Sequence, residues 1–179
     1  EKAIKLEKDA LAQIENITAD NARLVSNLHA NLGGLYRMNG HPDLAREHME
    51  KSISLLDQFN LLHINDSIPQ IANYAMFLSE QQEPERGISE LQKLSGIIKE
   101  YHSDDCLDYA KVQETLGTIY LMTANLPQAK THFKRAFKIY EKIWADEPEM
   151  IEAKYQEIQE LYPQIGFSIG KTLSGLLTK

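Results

Sequence analysis

The sequence predicts an all-α fold built from repeated helix pairs, and two observations support this fold class. Apolar residues recur at helical spacing, as in Leu28, Leu32 and Leu35, whereas no stretch alternates apolar and polar residues as a strand does. The second observation is a repeat interval of 42 residues: the small residues Gly33, Ala75 and Gly117 follow one another at this spacing. A repeated helix pair explains both, because each unit places the same type of residue at the same packing position.

The recurring small residues lie where the two helices of a unit must come close. A side chain larger than alanine at such a position would push the helix axes apart. Larger residues, including Tyr36, Tyr120, Met49 and Phe133, are expected to fill the space around them. The small residues are Gly33, Ala75 and Gly117 on the first helices and Ala45, Gly87 and Ala129 on the second helices.

Turn signals separate the predicted helices. Gly40 ends the second helix, and Pro42 suits the first turn of the third. Pro84 takes the same place in the next unit, and Pro127 lies one residue beyond it in the third. The segment 103–105 is the expected N-cap of the sixth helix. The predicted helices span residues 2–17, 21–39, 42–61, 67–81, 84–101, 105–123, 126–145, 148–162 and 165–178.

These helices predict one array of repeats over residues 1–179. Ala3 and Ala10 lie 42 residues before Ala45 and Ser52, so the first helix is interpreted as the second helix of a truncated repeat. Because the chain starts at Glu1 without an initiator Met, we expect it to be a fragment of a longer protein. The predicted units are 1–17, then complete repeats at 21–61, 67–101 and 105–145, and a degenerate or capping repeat at 148–179.

Composition and charge exclude several classes of protein. The 179 residues include 19 basic and 26 acidic side chains, a formal net charge of −7, which argues against a nucleic-acid partner. No apolar run is long enough to cross a membrane. One cysteine, Cys106, cannot form an intramolecular disulfide, so we expect a reduced, cytoplasmic setting in which Cys106 is a buried structural thiol.

The repeated pattern resembles the tetratricopeptide repeat. The best match is Leu116-Gly117, Tyr120, Ala129, Phe133 and Ala136. The interval of 42 residues is longer than the usual repeat and is similar to that of the kinesin-light-chain-like subclass, which the segment 134–142 also resembles.

The resemblance implies a right-handed superhelical solenoid of antiparallel helix pairs, in which first helices line a concave groove for a peptide or a partner helix. In the kinesin-light-chain-like groove, asparagines on first helices bind the ligand backbone. Asn31 and Asn73 lie 42 residues apart at matching positions, but Thr115 replaces the third amide. A solvated amide on a helix surface is the alternative interpretation of these two residues, and the sequence leaves both open.

Other groove residues follow from the same helical face. Met38, Met76 and Met122 suit an adaptable binding surface, although filling gaps in the core is the alternative for each of them. The mixed charge predicts a ligand that is neither strongly acidic nor strongly basic. The complete predicted groove consists of Asn27, Asn31, Arg37, Met38, Asn73, Met76, Glu80, Lys111, Glu114, Thr118 and Met122.

No motif supports catalysis, a cofactor or a metal. The segment 166–172 imitates a phosphate loop but has one residue too few between its glycines. His48 and His132 fall 84 residues apart, at the same place in their repeats, and are expected on exposed faces of second helices. We therefore predict that the chain is not an enzyme.

The apolar segment 164–179 carries Ile165, Ile169, Leu173 and Leu176 at helical spacing. It is interpreted as a helix that caps the array, with docking to another domain or subunit, including self-association, and disorder as alternatives. For the whole chain, the sequence predicts a protein- or peptide-binding module of a larger scaffold or regulatory protein. The alternative is the ligand-sensing repeat domain of a larger bacterial-type transcriptional regulator or signalling ATPase.

Overall fold

A computed structural model describes residues 1–161 and 163, and within them all regular structure is helical. This confirms the predicted all-α fold. The predicted helix 165–178, the segment 164–179 and the phosphate-loop imitation lie outside the described residues. The helices are α1 (Lys2–Ala12), α2 (Ala22–Met38), α3 (Pro42–Gln58), α4 (Ser67–Glu80), α5 (Pro84–Tyr101), α6 (Leu107–Met122), α7 (Leu126–Ile143) and α8 (Pro148–Leu161).

The chain forms two compact units. Unit 1 is residues 1–104 and contains α1–α5, in which α2 packs on α3 and α4 packs on α5. Unit 2 is residues 105–179, and its described part contains α6 packed on α7, followed by α8. The division into individual repeats at the residues given above stays a prediction.

Helix pairs approach most closely at the recurring small residues. A Cβ atom added to Gly87 would lie 2.5 Å from the Ala75 carbonyl oxygen on the facing helix. A Cβ on Gly117 would lie 2.8 Å from the Phe133 ring, and one on Gly33 would lie 2.5 Å from a Met49 side-chain carbon. Contacts below 3.0 Å cannot be accommodated without movement, so these glycines permit the pairing.

Each unit has its own apolar core. In unit 1, residues of α2, α3 and α4 form one buried cluster, against which parts of α1 pack. In unit 2, Phe133 and Tyr140 of α7 are almost fully buried, and Phe137 stacks on Tyr155 of α8 with ring centroids 4.1 Å apart. The unit 1 cluster consists of Leu32, Tyr36, Ala45, Met49, Tyr74, Phe77 and Leu78.

Three helix ends at the 42-residue interval share one backbone conformation. Gly40, Gln82 and Ala124 follow α2, α4 and α6 with φ of 73°, 65° and 57°. In each case the next amide donates to a carbonyl five residues back, for example from Asn125 to Tyr120 at 2.7 Å. This is the left-handed helix cap that glycine favours, although glycine is present at one of the three positions.

Replacing Ala124 with glycine is therefore expected to raise the free energy of unfolding by about 0.5–1 kcal/mol, because glycine adopts this φ without steric penalty. Ala153→Gly is the matched control, since Ala153 is exposed inside α8. It should lower the free energy of unfolding by about 1 kcal/mol. Urea unfolding followed by circular dichroism measures both. A loss of stability in both variants would contradict the proposed strain at Ala124.

Several predicted helix ends were wrong: α3 ends at Gln58 instead of residue 61 and α7 at Ile143 instead of residue 145. The first helix ends at Ala12 instead of residue 17, because Asn21 binds the backbone of the following segment. Its side-chain oxygen accepts from the Thr18 amide at 2.8 Å, and its NH₂ group donates to the Asn16 carbonyl at 2.9 Å. Such local side-chain bonds compete with helical hydrogen bonds.

The start of α6 also differs from the prediction. The N-cap is Cys106 and not a residue of 103–105: the Cys106 sulfur accepts from the Tyr109 amide at 3.4 Å. Because it caps the helix, Cys106 is half-buried, and the predicted burial of this thiol was wrong.

Candidate functional site

A cavity of about 910 Å³ in unit 1 brings together six of the predicted groove residues. It lies between the two first helices, α2 and α4, with Met49 and Ser52 of α3 also contributing. Residues three or four apart share a helix face, so one face of α2 supplies most of one wall. The six residues are Asn27, Asn31, Arg37, Met38, Asn73 and Glu80.

A buried network fixes the amides in the wall of this cavity. The hydroxyls of Ser26 and Ser52, both almost fully buried, donate to the Gln70 side-chain oxygen at 2.8 and 2.6 Å. The Gln70 NH₂ group then donates to the Asn27 side-chain oxygen at 2.5 Å. Because that oxygen is engaged, the Asn27 NH₂ group is the part of this amide left for other partners.

The two asparagines of the predicted ladder have different surroundings. The Asn31 NH₂ group donates to Glu7 of α1 at 3.1 Å. Asn73 is exposed, and the described residues offer its side chain no hydrogen bond. Both therefore keep polar atoms available at the cavity, an acceptor on Asn31 and a donor and an acceptor on Asn73.

Ion pairs join α2 to the α4 region beside this cavity. Arg37 pairs with Glu80 near the C-terminal ends of the two helices. Arg23 near the start of α2 donates to Asp66 at 2.8 Å, just before α4. The predicted mixture of positive and negative side chains is therefore present here, as ion pairs between protein residues.

Other predicted groove residues lie elsewhere. Met76 is half-buried and does not line the unit 1 cavity. In unit 2, Lys111 and Glu114 line a cavity of about 450 Å³ beside Trp144. Thr118 and Met122 do not line it: the Thr118 hydroxyl donates to the Glu114 carbonyl of its own helix, and Met122 is 48% exposed.

The unit 2 cavity is held by interactions around Glu114. Its carboxylate accepts from the Tyr140 hydroxyl at 2.6 Å and from Lys154 of α8 at 2.9 Å. Burial, with the adjacent Glu114 charge, raises the pKa of Tyr140, so the phenol stays protonated and keeps donating. Glu114 therefore links α6, α7 and α8, so it stabilises the packing of these helices and also lines the cavity.

The expectation that His48 and His132 lie on exposed faces was wrong. His48 is half-buried, with its Nδ1 atom 2.8 Å from Nδ1 of His29 and its ring stacked on Tyr36. His132 is half-buried too, since its Nδ1 atom lies 2.9 Å from the Gln113 side-chain oxygen.

The two histidine sites are equivalent in the repeat. His132 stacks on Tyr120, which lies 84 residues after Tyr36, and Gln113 lies 84 residues after His29. Burial lowers the pKa of His29 to about 4, and the charges of His48 and Lys51 act in the same direction. Burial also lowers the pKa of His48 and of His132.

Sequence reasoning missed Gln70, Ser26, Ser52 and His29. A signal for Gln70 existed, because it lies three residues before Asn73 on the same helix face, as Asn27 lies four before Asn31. The serines and His29 carry no comparable signal, since their partners are on other helices.

Metal and membrane chemistry find no support in the part of the chain that the structure describes. Residues 1–161 and 163 contain no group of three His, Cys, Asp or Glu side chains that could hold a metal ion. None of the helices α1–α8 combines the length and apolarity needed to cross a membrane.

Comparison with known proteins agrees with this architecture. The family model of the tetratricopeptide repeat matches residues 67–142. None of the curated proteins matches the sequence significantly.

Solved structures with a similar fold include a protein with TPR-like repeats. BtubC (BKLC) from P. vanneervenii is 21% identical with a TM-score of 0.69 over 79% of this chain, and this chain covers 56% of that protein. A Podosopora anserina protein, described as a kinesin light chain with nearly identical TPR-like repeats, is 14% identical with a TM-score of 0.67. That match covers 79% of this chain and 67% of the other.

These likenesses show a helical solenoid fold. Tetratricopeptide repeats form protein-interaction modules, which agrees with an open cavity lined by amides. Residues 67–142 therefore match the tetratricopeptide-repeat model, and the fold is similar to that of proteins with TPR-like repeats, including one described as a kinesin light chain.

Proposed function

We propose that this chain is a non-catalytic module that binds a peptide segment of another protein in the groove of its first helices. The observation that carries the proposal is the unit 1 cavity, where six of the predicted groove residues on the first helices line one space of about 910 Å³. A cavity of this size accommodates several peptide residues.

The amides supply the chemistry for binding an extended backbone. A side-chain amide can donate to a peptide carbonyl and accept from a peptide N–H at the same time. Asn73 offers both groups, Asn27 its NH₂ group and Asn31 its oxygen. Met38, which is 84% exposed, adds a flexible apolar contact that adapts to different ligand side chains.

Within unit 2, Lys111, Glu114, Thr118 and Met122 of α6 stay proposed ligand-binding residues. The proposal includes no catalytic activity, no cofactor and no nucleic-acid partner, and it places the protein in the cytoplasm. The negative net charge supports the exclusion of nucleic acid, and the single cysteine agrees with a reducing compartment. Self-association through the segment 164–179 stays a prediction.

Substitution of Gly34 provides the test of the site. A Cβ atom on Gly34 meets no atom within 4 Å, so the Gly34→Phe variant should fold. Its phenylalanine side chain should project into the cavity that Gly34 lines. Gly96→Phe on α5 is the matched control, because its Cβ position is equally open and it lies outside the cavity.

We expect phage-displayed random peptides selected on the full chain to lose at least about tenfold in affinity for Gly34→Phe, which corresponds to 1.4 kcal/mol. Affinity for Gly96→Phe should be unchanged. Fluorescence titration of the selected synthetic peptides measures both. Peptides that bind wild type and Gly34→Phe equally would place binding outside the unit 1 cavity.

The regulator or ATPase alternative uses the same repeats in a different setting. It predicts an effector domain, such as a helix-turn-helix or nucleotide-binding domain, in the full-length protein. Sequencing the gene beyond both ends of this segment would decide between the two proposals.

A further inference from the structure

The charges that line the unit 1 cavity are all engaged with one another or with a neighbour. Among the described lining residues, the charged ones are Arg37, Asp66 and Glu80. Arg37 pairs with Glu80, and Asp66 pairs with Arg23. The cavity therefore presents neutral ion pairs and uncharged amides to a ligand.

The two ion pairs also mark the ends of the cavity. Arg23 and Arg37 are 14 residues apart on α2, which is about 21 Å at the rise of an α-helix. An extended chain advances about 3.3 Å per residue, so the space between the pairs fits about six residues.

A charged ligand side chain gains little in such a site. It would lose hydration on entering, and its opposite partner on the protein is already bound within an ion pair. An uncharged segment loses less hydration, and its backbone can bind the amides of Asn27, Asn31 and Asn73.

We propose that the unit 1 cavity selects an extended segment of about six uncharged residues, lying along the cleft between α2 and α4 from one ion pair to the other. This inference rests on the proposed peptide-binding function and names the class of ligand. The overall charge of −7 by itself predicts basic ligands, whereas the lining of the cavity predicts uncharged ones.

The experiment selects phage-displayed random heptapeptides on the full chain, with Gly34→Phe as the counter-selection. We expect the enriched peptides to be depleted of Lys, Arg, Asp and Glu. The Kd of the corresponding synthetic peptides should change less than about twofold between low and high salt, because screening acts on unpaired charges.

Two variants test the reason for this preference. Arg37→Ala leaves Glu80 without its partner in α2, and selection on it should shift towards basic heptapeptides. Glu80→Ala leaves Arg37 without Glu80 and should shift selection towards acidic ones. In both variants the Kd of the newly selected peptides should change at least about tenfold with salt. Gly96→Phe should select the same uncharged peptides as wild type.

The outcomes separate the two proposals. Charged heptapeptides enriched on wild type and lost on Gly34→Phe would overturn the inference while keeping the peptide-binding function. Enrichment that is equal on wild type and Gly34→Phe would remove the site, and the inference with it. Arg37→Ala and Glu80→Ala selecting the same peptides as wild type would show that these charges do not determine the ligand.

Discussion

Replacing Gly87 with leucine is expected to lower the free energy of unfolding by about 3 kcal/mol. A Cβ atom at this position would lie 2.5 Å from the Ala75 carbonyl oxygen and 2.9 Å from the Ser79 hydroxyl oxygen. The nearest obstacle is backbone, which cannot rotate away as a side chain can. The substitution must therefore separate α4 from α5 or distort one of them.

Gly96→Leu is the control on the same helix, because a Cβ atom there meets nothing within 4 Å. It should raise stability slightly, by about 0.5 kcal/mol, since leucine is the better helix former. Urea unfolding followed by circular dichroism measures both variants. Equal midpoints for the two would show that α4 and α5 do not meet at Gly87.

The three glycines should also differ in their response to alanine. Gly87 meets backbone, Gly117 meets the Phe133 ring, and Gly33 meets first the flexible side chain of Met49. Because the nearest obstacle is backbone only at Gly87, we expect Gly87→Ala to be the most damaging of the three in the same unfolding measurement. If Gly33→Ala were the most damaging, the Met49 side chain would have to be fixed in place.

Periodicity made most of the fold predictable from sequence. Helix pairs need small residues where their axes approach, so Gly33 and Gly117 recur in register. Helix ends were harder to predict where local chemistry decides them. Gln82 and Ala124 adopt the same left-handed conformation as Gly40, and neither residue type signals it. The early end of α1 depends on the Asn21 side chain, which sequence spacing does not show.

The candidate site was predictable only in part, for a related reason. Helical spacing places Asn31 and Asn73 on corresponding faces, and both line the unit 1 cavity. Spacing does not show which polar atoms are already engaged. The Asn27 side-chain oxygen accepts from Gln70, and Arg37 pairs with Glu80. In both contacts the partner lies on another helix, more than 40 residues away in the sequence.

The second large effect is a loss of stability in acid that arises from His29. The Nδ1 atoms of His29 and His48 are 2.8 Å apart, a contact in which one nitrogen donates and the other accepts. At least one ring must stay neutral to accept. Lys8, Lys51 and Glu47 also act on this pair, and both lysine charges oppose protonation of His48.

The direction of the pH dependence follows from the lowered pKa of His29. The unfolded chain takes up a proton at His29 below the ordinary value of 6.5, whereas the folded chain does so near pH 4. The unfolded state thus binds more protons between these values. The contribution of His29 to stability is complete above about pH 6.5 and decreases by about 2–3 kcal/mol as the pH falls to about 4.

The equivalent site in unit 2 supplies a matched pair of substitutions. Gln113 faces His132 as His29 faces His48, and an amide oxygen can accept from a histidine in either protonation state. His29→Gln should therefore remove more than half of this acid-dependent loss, and Gln113→His should add a comparable loss. Urea unfolding near pH 7.5 and pH 4.5 gives the acid-dependent loss of stability of each variant. Subtracting the loss of wild type cancels the titration of the carboxylates. An unchanged acid loss in His29→Gln would show that the decisive proton binds elsewhere.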